Sequence, residues 1–211
     1  MKEEVEYKLE KIANIWNHFI WEYDFCKKGI KFDLEVQTNY FGDILGYFQD
    51  TNEIIFNYSD SGKQSERFSN QISLLQSIYV QQDFIEEFLR LFKLKQNKSD
   101  LKKEPNYFIN RDIRNELVGH PIRRENGNGT LISSCVFSYN GGIDKITYLK
   151  YHRENNFEFE YVEFEVSDII SRHKQFLIFY FDMILNKLKR ILSKFTKEIE
   201  NVESLIEKKK F

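Results

Sequence analysis

The feature that most constrains the fold is an apolar periodicity that runs from Ser167 to the end of the chain. Ser167 is a favourable N-cap residue, and Asp168 follows it in the first turn. Apolar residues then recur at close to heptad spacing: Phe181, Ile184, Leu188, Ile191, Phe195, Val202 and Leu205. This pattern predicts one helix of roughly 40 residues, or about 60 Å at the usual rise of an α-helix. A compact helical domain of this size does not need such a helix. We therefore expect its outer half to pack on a second chain or on the N-terminal helix of the same chain.

Apolar spacings of three and four residues predict three further helices. They cover 2–27, about 68–94 and 107–118. A charged loop at 95–106 separates the last two. The segment at 30–66 mixes short apolar runs with turn-forming residues. It predicts a loop with a short helix near Tyr40–Phe48, then an extended stretch at Glu53–Tyr58 and a turn at 59–62.

The hydrophobic period changes between Thr130 and Val166, where three strands are predicted. The stretches "TLISSCVFSY" and "KITYLKYH" are rich in β-branched and aromatic residues, and "FEFEYVEFEV" alternates apolar with acidic residues. Turns are expected at 126–129, 140–142 and 154–156, where Gly and Asn cluster. The fold class is therefore mainly α: an antiparallel helical bundle with a small antiparallel β-meander inserted at about 128–166 and a long C-terminal helix. The whole chain, 1–211, is interpreted as one domain.

The charge and the cysteines restrict the functional classes. The net charge of −2 lacks the basic surplus of most tight nucleic-acid binders, so any RNA contact must come from a local patch. Cys26 and Cys135 lie far apart and indicate neither a disulfide framework nor a zinc site. The N-terminus is acidic and amphipathic, unlike a signal peptide, and no apolar run is long enough to span a membrane. These features predict a cytoplasmic protein without membrane contact.

Arginine concentrates in one stretch, "RDIRNELVGHPIRR", at residues 111–124. Ile113 and Leu117 are four residues apart, so both are expected to face the core of a helix. Gly119 suits the left-handed position that ends many helices, and Pro121 disfavours helical geometry at the residue before it. The helix should therefore stop just before His120, which leaves the imidazole at its C-terminal end.

An arginine and a histidine held close together suit phosphodiester cleavage. The guanidinium of Arg114 can grip a phosphate oxygen and stays charged throughout. The imidazole of His120 can deliver or accept a proton near neutral pH. RNA supplies its own nucleophile in the 2′-hydroxyl, so the reaction needs no metal and no cofactor.

The spacing from Arg114 and Asn115 to His120 resembles the R-x(4–6)-H signature of HEPN (higher eukaryotes and prokaryotes nucleotide-binding) domains. A polar residue commonly follows the arginine in that family, and Asn115 fits. The string "IRNELVGHP" also looks like many bacterial HEPN sequences. The resemblance covers about 68–122 and 167–195, and it implies an antiparallel helical bundle that forms a homodimer. The β-meander departs from the family's minimal bundle.

The resemblance also implies a function: a metal-independent endoribonuclease in which two Arg-His motifs share one dimer cleft. His120 would be the general acid and base, Arg114 would bind the scissile phosphate, and Asn115 would orient these groups. The expected products are a 2′,3′-cyclic phosphate and a 5′-hydroxyl. Such proteins commonly serve in toxin–antitoxin systems or antiviral (phage) defence, so an antitoxin or another defence-system protein is an expected partner.

Further residues are assigned by resemblance or by charge. Some family members hold the arginine with an acidic or polar residue on an earlier helix, and three candidates lie in "QQDFIEEF": Asp83, Glu86 and Glu87. A local RNA-binding patch is expected from Arg111, Arg123 and Arg124, for which a solvated loop is the alternative. The alternative to catalysis is a non-catalytic HEPN-like scaffold that binds RNA, a nucleotide or a partner protein, or a motif that only caps the helix. His173 lies near the apolar face of its helix and is expected in the core or at an interface.

Overall fold

The computed structural model describes residues 2–21, 30, 40–59, 63–124, 130–136 and 144–208. This part of the chain is mainly helical, with a small four-stranded antiparallel sheet and a long C-terminal helix. The helices are α1 (Lys2–Ile15), α2 (Tyr40–Phe56), α3 (Gln64–Leu91), α4 (Lys98–Leu101), α5 (Pro105–Arg114) and α6 (Val166–Lys208). Two π-helical turns continue α1 and α5, at Trp16–Ile20 and Asn115–Gly119 respectively.

The prediction for α2 was wrong in its second half. The structure has one continuous helix of 17 residues where a short helix and an extended stretch at Glu53–Tyr58 were expected. The apolar run Ile54–Phe56 is typical of a strand, but its central residue, Ile55, continues the buried helical stripe of Phe41, Leu45 and Phe48. Tertiary burial of that stripe outweighs the local β-propensity. The short helix α4 also forms within the predicted loop at 95–106.

The sheet contains four strands rather than the three that were predicted: β1 (Ile122–Arg124), β2 (Leu131–Val136), β3 (Lys145–Tyr151) and β4 (Phe159–Glu165). They are ordered β1-β2-β3-β4, and every neighbouring pair is antiparallel. The additional strand, β1, pairs Ile122 with Ser133 and begins two residues after His120. A stretch of three residues, "IRR", with two charged side chains is too short to predict a strand. The predicted start of the meander at 128 was therefore too late.

Several predictions fall outside the described residues. They are the C-terminal part of the helix predicted at 2–27, most of the loop before Tyr40, most of the turn at 59–62 and the turns at 126–129 and 140–142. The turn predicted at 154–156 is confirmed, with a 3-10 turn at Arg153–Asn155 and a left-handed Asn156 at φ 51°.

The chain divides into two compact units. The first unit comprises 1–49, 84–99 and 177–211, and the second comprises 50–83 and 100–176. The assignment of the whole chain to one HEPN-like domain stays a prediction. None of the helices in the described part of the chain is long and apolar enough to cross a membrane.

Aromatic side chains form the core of the first unit. The ring of Phe41 lies 4.5 Å from that of Trp16, 4.8 Å from that of Phe88 and 5.3 Å from that of Phe92, measured between centroids. Such offset and edge-to-face pairs add to the stabilisation from burial alone. Beyond this core, all residues from Thr196 to Lys208 of α6 are exposed, and no other described residue covers the apolar stripe of that segment. The described part of the N-terminal helix, one of the two expected coverings, leaves this segment exposed, and the other, a second chain, stays a prediction.

The core of the second unit joins its helices to the sheet. Its fully buried apolar residues are Ile55, Leu74, Leu75, Ile78, Ile113, Ile146, Val166 and Ile169. Leu117 packs against this cluster and is partly buried. Ile113 and Leu117 therefore anchor the end of α5 as predicted. This packing fixes the end of α5 relative to α3 and the sheet.

Candidate functional site

The candidate site is built around the end of α5. Pro105 occupies the first turn of this helix, where its missing N–H has no intrahelical partner to lose. The helix continues to Arg114 and widens into the π-helical turn at Asn115–Gly119. The amide of His120 donates to the carbonyl of Asn115 at 2.7 Å, and the backbone then leaves helical geometry at φ −140°. His120 is exposed, so its imidazole lies just beyond the helix end, as predicted.

Gly119 is required for space rather than for a left-handed backbone. The left-handed conformation predicted for it is absent. A Cβ at this position would lie 2.6 Å from Nη1 of Arg114, closer than real Cβ contacts allow. The guanidinium of Arg114 therefore lies against the residue that directly precedes His120. This close approach places the guanidinium one residue before His120 along the chain.

The guanidinium of Arg114 is fixed by neighbours on three sides. Its Nε and Nη2 donate to Oε1 of Gln76 at 3.1 and 3.0 Å, and its Nη1 donates to Oδ1 of Asn115 at 3.2 Å. Its Cζ lies 3.9 Å from the ring centroid of Tyr79, a distance typical of a cation–π contact. Asn115 therefore contacts Arg114, and its role in orienting the catalytic groups stays a prediction. Gln76 and Tyr79, both on α3, were not predicted as site residues.

None of the three acidic candidates holds Arg114. Asp83 forms an ion pair with Arg111 at 2.9 Å. Glu86 pairs with Lys98 at 3.0 Å and Glu87 with Arg90 at 2.6 Å, both within the first unit. The neutral amide of Gln76 takes the place that a carboxylate was expected to fill.

A pocket of about 430 Å³ opens beside the motif, and Asp112, Asn115, Glu116, His120 and Arg123 line it. The first four come from α5, its π-helical turn and the residue after it, and Arg123 comes from β1. Arg114 is not among the lining residues. The pocket therefore contains two of the three predicted catalytic residues, together with two carboxylates that sequence reasoning missed.

The carboxylate of Glu116 receives three donors from the sheet. Nη2 of Arg123 lies 2.7 Å and Nζ of Lys150 lies 2.8 Å from Oε1, and the hydroxyl of Tyr148 donates to Oε2 at 2.6 Å. Burial alone would raise the pKa of Glu116, but the hydrogen bonds from Lys150, Tyr148 and Arg123 together hold it below its usual range. Burial and the bond to Glu116 also raise the pKa of the Tyr148 hydroxyl. Glu116 is therefore an ionised carboxylate with its hydrogen-bonding capacity largely used.

The carboxylate of Asp112 differs, because it makes no hydrogen bond or ion pair with any residue that the structure describes. Asp112 is exposed as a residue, but partial desolvation of its carboxyl and the nearby charge of Glu116 raise its pKa, and the charges of Arg123 and Lys150 oppose that rise. Asp112 and Asn115 are three residues apart on the helix, so their side chains lie on the same face. Asp112 is therefore an acceptor in this pocket for which the described residues provide no donor.

The three arginines predicted to bind RNA have different surroundings. The guanidinium of Arg111 lies over the ring of Tyr79 at 4.0 Å and pairs with Asp83, so its side chain is only 14% exposed. Arg123 is bound to Glu116 and is half-buried, whereas Arg124 is exposed. The charges of Arg111 and Arg123 are therefore already compensated within the protein.

Within the described residues, no group of three or more His, Cys, Asp or Glu side chains is arranged to hold a metal ion. Comparison of the chain with protein-family models, with curated proteins and with solved structures gives no match. What the site can do must be judged from its own chemistry. It offers a guanidinium that is fixed against Gly119, an exposed histidine directly after that glycine, and a polar pocket that the histidine helps to line.

Proposed function

We propose that this chain is a metal-independent endoribonuclease with HEPN-like chemistry. The observation that carries the proposal is the placement of Arg114: its guanidinium is held by Gln76, Asn115 and Tyr79 against the residue that precedes the exposed His120. A cation fixed before the substrate arrives does not need to reorganise when negative charge develops at the phosphate. A bundle of the HEPN type and a homodimer cleft with two such motifs belong to the same proposal, as does a role in toxin–antitoxin or antiviral defence.

The proposed reaction uses only these side chains and the RNA. The imidazole of His120 acts as the base and removes the proton from a 2′-hydroxyl. The 2′-oxygen then attacks the adjacent phosphorus. The bond from phosphorus to the 5′-oxygen breaks, and a protonated imidazole supplies the proton to that leaving oxygen. Arg114 stabilises the additional negative charge on the phosphate oxygens, and Asn115 keeps the guanidinium in place. The products are a 2′,3′-cyclic phosphate and a 5′-hydroxyl.

The test compares the wild type with His120→Ala on a broad set of RNAs in the presence of EDTA. We expect the variant to lose at least about a hundred-fold in cleavage rate, since general acid–base catalysis contributes that much or more. His18→Ala is the matched control, because His18 is an exposed histidine of the first unit and should leave cleavage unchanged. Equal cleavage by the wild type and His120→Ala would refute the proposal.

One observation favours the alternative of a non-catalytic HEPN-like scaffold. Arg114 is engaged by Gln76 and Asn115 and does not line the pocket that contains His120. A scaffold would bind RNA, a nucleotide or a partner protein without cleaving it. Under this alternative, the double variant Arg114→Ala and His120→Ala retains both binding and dimerisation, and the wild type cleaves no RNA in the set.

A further inference from the structure

The pocket beside His120 is nearly neutral, which is unusual for a site that would bind a phosphate. Its cation, Arg123, is neutralised by Glu116, and Lys150 contributes a further charge to the same carboxylate. Asp112 adds a negative charge that forms no ion pair with any described residue. The pocket therefore has no surplus positive charge to attract a phosphate, which fits better outside, near Arg114. The part of a nucleotide that suits a polar pocket without surplus positive charge is its base.

Two groups in this pocket have hydrogen-bonding capacity that the described residues leave unused. The carboxylate of Asp112 accepts no bond, and Nδ2 of Asn115 donates none, because the amide is oriented with its oxygen toward Arg114. Glu116, by contrast, is saturated by Arg123, Lys150 and Tyr148. The pocket thus presents one double acceptor and, one helical turn away on the same face, one donor.

The hydrogen-bonding edge of guanine matches this arrangement best. Guanine has two adjacent donors, N1–H and the 2-amino group, next to the acceptor O6, and a carboxylate can accept from both donors at once. Adenine and cytosine each offer a single amino group beside an unprotonated ring nitrogen, which an ionised carboxylate would oppose. Uracil offers one N–H between two carbonyl oxygens. Of the four bases, guanine alone satisfies both oxygens of Asp112 and the amide of Asn115 together.

We propose that this pocket binds guanine, with Asp112 accepting from N1–H and the 2-amino group and Asn115 donating to O6. The inference rests on the proposed function, because it makes this chain an endoribonuclease that cleaves next to guanosine. The exposed imidazole of His120 lies at the edge of the pocket, where the ribose and phosphate of a bound nucleotide would emerge. Asp112 and Asn115 determine specificity in this scheme, while His120 transfers the proton.

The experiment uses unstructured oligouridine RNAs that carry one guanosine, inosine or adenosine at the same position. Inosine keeps N1–H and O6 but lacks the 2-amino group. We expect cleavage beside guanosine to be roughly ten-fold or more faster than beside adenosine, since one matched bidentate contact discriminates bases to that extent. Inosine should fall between the two. Equal rates for the three RNAs in an enzyme that depends on His120 would overturn the inference and leave the proposed function standing.

Substitutions assign the preference to Asp112. In Asp112→Asn, one oxygen becomes an amide NH₂ that opposes the donors of guanine, so the guanosine-to-adenosine ratio should fall toward one while the adenosine RNA is still cleaved. Asp43→Asn, at an exposed position of the first unit, should keep the ratio of the wild type. A ratio that survives in Asp112→Asn would overturn the assignment.

A binding measurement separates the two proposals. Guanosine 3′-monophosphate and adenosine 3′-monophosphate are titrated into the wild type, Asp112→Asn and His120→Ala. Tighter guanosine binding that is lost only in Asp112→Asn supports the pocket even if no RNA is cleaved, in which case the proposed function alone has failed. Equal affinities of the two nucleotides for the wild type would refute the pocket as a guanine site.

Discussion

Gly119 shows how a single residue connects the two halves of the motif. Glycine is often explained by backbone freedom, but here the relevant property is the absent side chain, which lets the guanidinium of Arg114 lie across the chain. The atom that a Cβ would meet is the far end of a flexible side chain rather than backbone. The fold can therefore accommodate a methyl group, whereas the placement of Arg114 cannot.

We accordingly predict that Gly119→Ala separates activity from stability. The methyl group should displace Arg114 from Gln76 and Tyr79 and lower RNA cleavage by roughly ten-fold or more, as the loss of a positioned electrostatic group does. The free energy of unfolding should change by about 1 kcal/mol or less, since the displaced atoms can turn toward solvent. Cleavage assays and urea unfolding of the same samples check this. The exposed Gly46 has open space around it, so Gly46→Ala is the matched control. A variant with full activity, or one that fails to fold, would contradict the prediction.

At the residue scale, the features that were predicted correctly are those that neighbouring residues in the sequence determine. The stretch from Arg111 to Arg124 contains its own signals, and the end of the helix before His120 follows from the residues nearby. Gln76 and Tyr79 could not be predicted in this way, because they approach Arg114 from 38 and 35 positions earlier in the chain. Their place on α3 looks like an ordinary helix face, and only the packing of α5 reveals that this face positions the guanidinium.

At the scale of elements, Glu116 connects the π-helical turn after α5 to the sheet. Its carboxylate binds Arg123 of β1 and both Tyr148 and Lys150 of β3. This explains why a strand of only three residues is ordered directly after His120. The sequence does not predict β1, because its pairing with β2 and its contact with Glu116 are tertiary effects. The extended stretch predicted within α2 is the opposite error, a strand predicted where a helix forms. It also reflects a tertiary effect, because burial of the apolar stripe of α2 stabilises the helix there.

The bonds that the Glu116 carboxylate makes to the sheet predict that its substitution lowers the stability of the protein and changes how that stability depends on pH. Glu116→Gln would leave Arg123 and Lys150 without their acceptor charge, and we expect it to lower the free energy of unfolding by about 1–3 kcal/mol at pH 7. The folded pKa of Glu116 lies below its ordinary value of 4.5, so its contribution is complete above about pH 4.5 and is lost as the pH falls through the folded pKa. Below pH 4.5, the free energy of unfolding of the wild type should therefore decrease more steeply with falling pH than that of the variant.

Denaturant unfolding from pH 7 to pH 3.5 measures this difference. Glu203→Gln, at an exposed position near the end of α6, is the matched control and should follow the wild type at every pH. If Glu116→Gln unfolds like the control, Glu116 does not stabilise the contact between the π-helical turn and the sheet.

At the scale of the whole molecule, long periodic signals were the most reliable. The helix predicted at roughly 40 residues from the heptad pattern spans 43 residues. The change of period after the motif also located the sheet. Polar groups inside the core are harder to predict, because their partners come from several elements. His173 was expected in the core or at an interface, and it is fully buried, but nothing in the sequence indicated the polar network around it.

That network determines the proton state of His173. Nε2 of Gln81 donates to Thr51 and Asn52 at 2.7 and 3.0 Å, so Oε1 of Gln81 must accept from Nε2–H of His173 at 2.8 Å. Nδ1 of the imidazole is then unprotonated, and it is buried without a hydrogen-bond partner among the described residues. Burial lowers the pKa of His173 to about 3, since a charged imidazole would have no compensating group there. The network joins α2, α3 and α6 within the second unit, so its disruption is expected to affect global unfolding.

The final prediction follows from this lowered pKa. Between its ordinary pKa of 6.5 and the folded value of about 3, the unfolded chain binds a proton at His173 that the folded chain does not. The free energy of unfolding therefore decreases as the pH falls below 6.5, by about 2 kcal/mol from this residue at pH 5. In His173→Gln, which keeps a donor but cannot titrate, the decrease in the free energy of unfolding from pH 7 to pH 5 should be smaller by that amount, even if the variant is less stable at pH 7. Urea unfolding at pH 5, 6 and 7 measures the slope, and His18→Gln, at an exposed histidine, should keep the slope of the wild type. Equal slopes for the wild type and His173→Gln would show that the buried imidazole accepts its proton without unfolding.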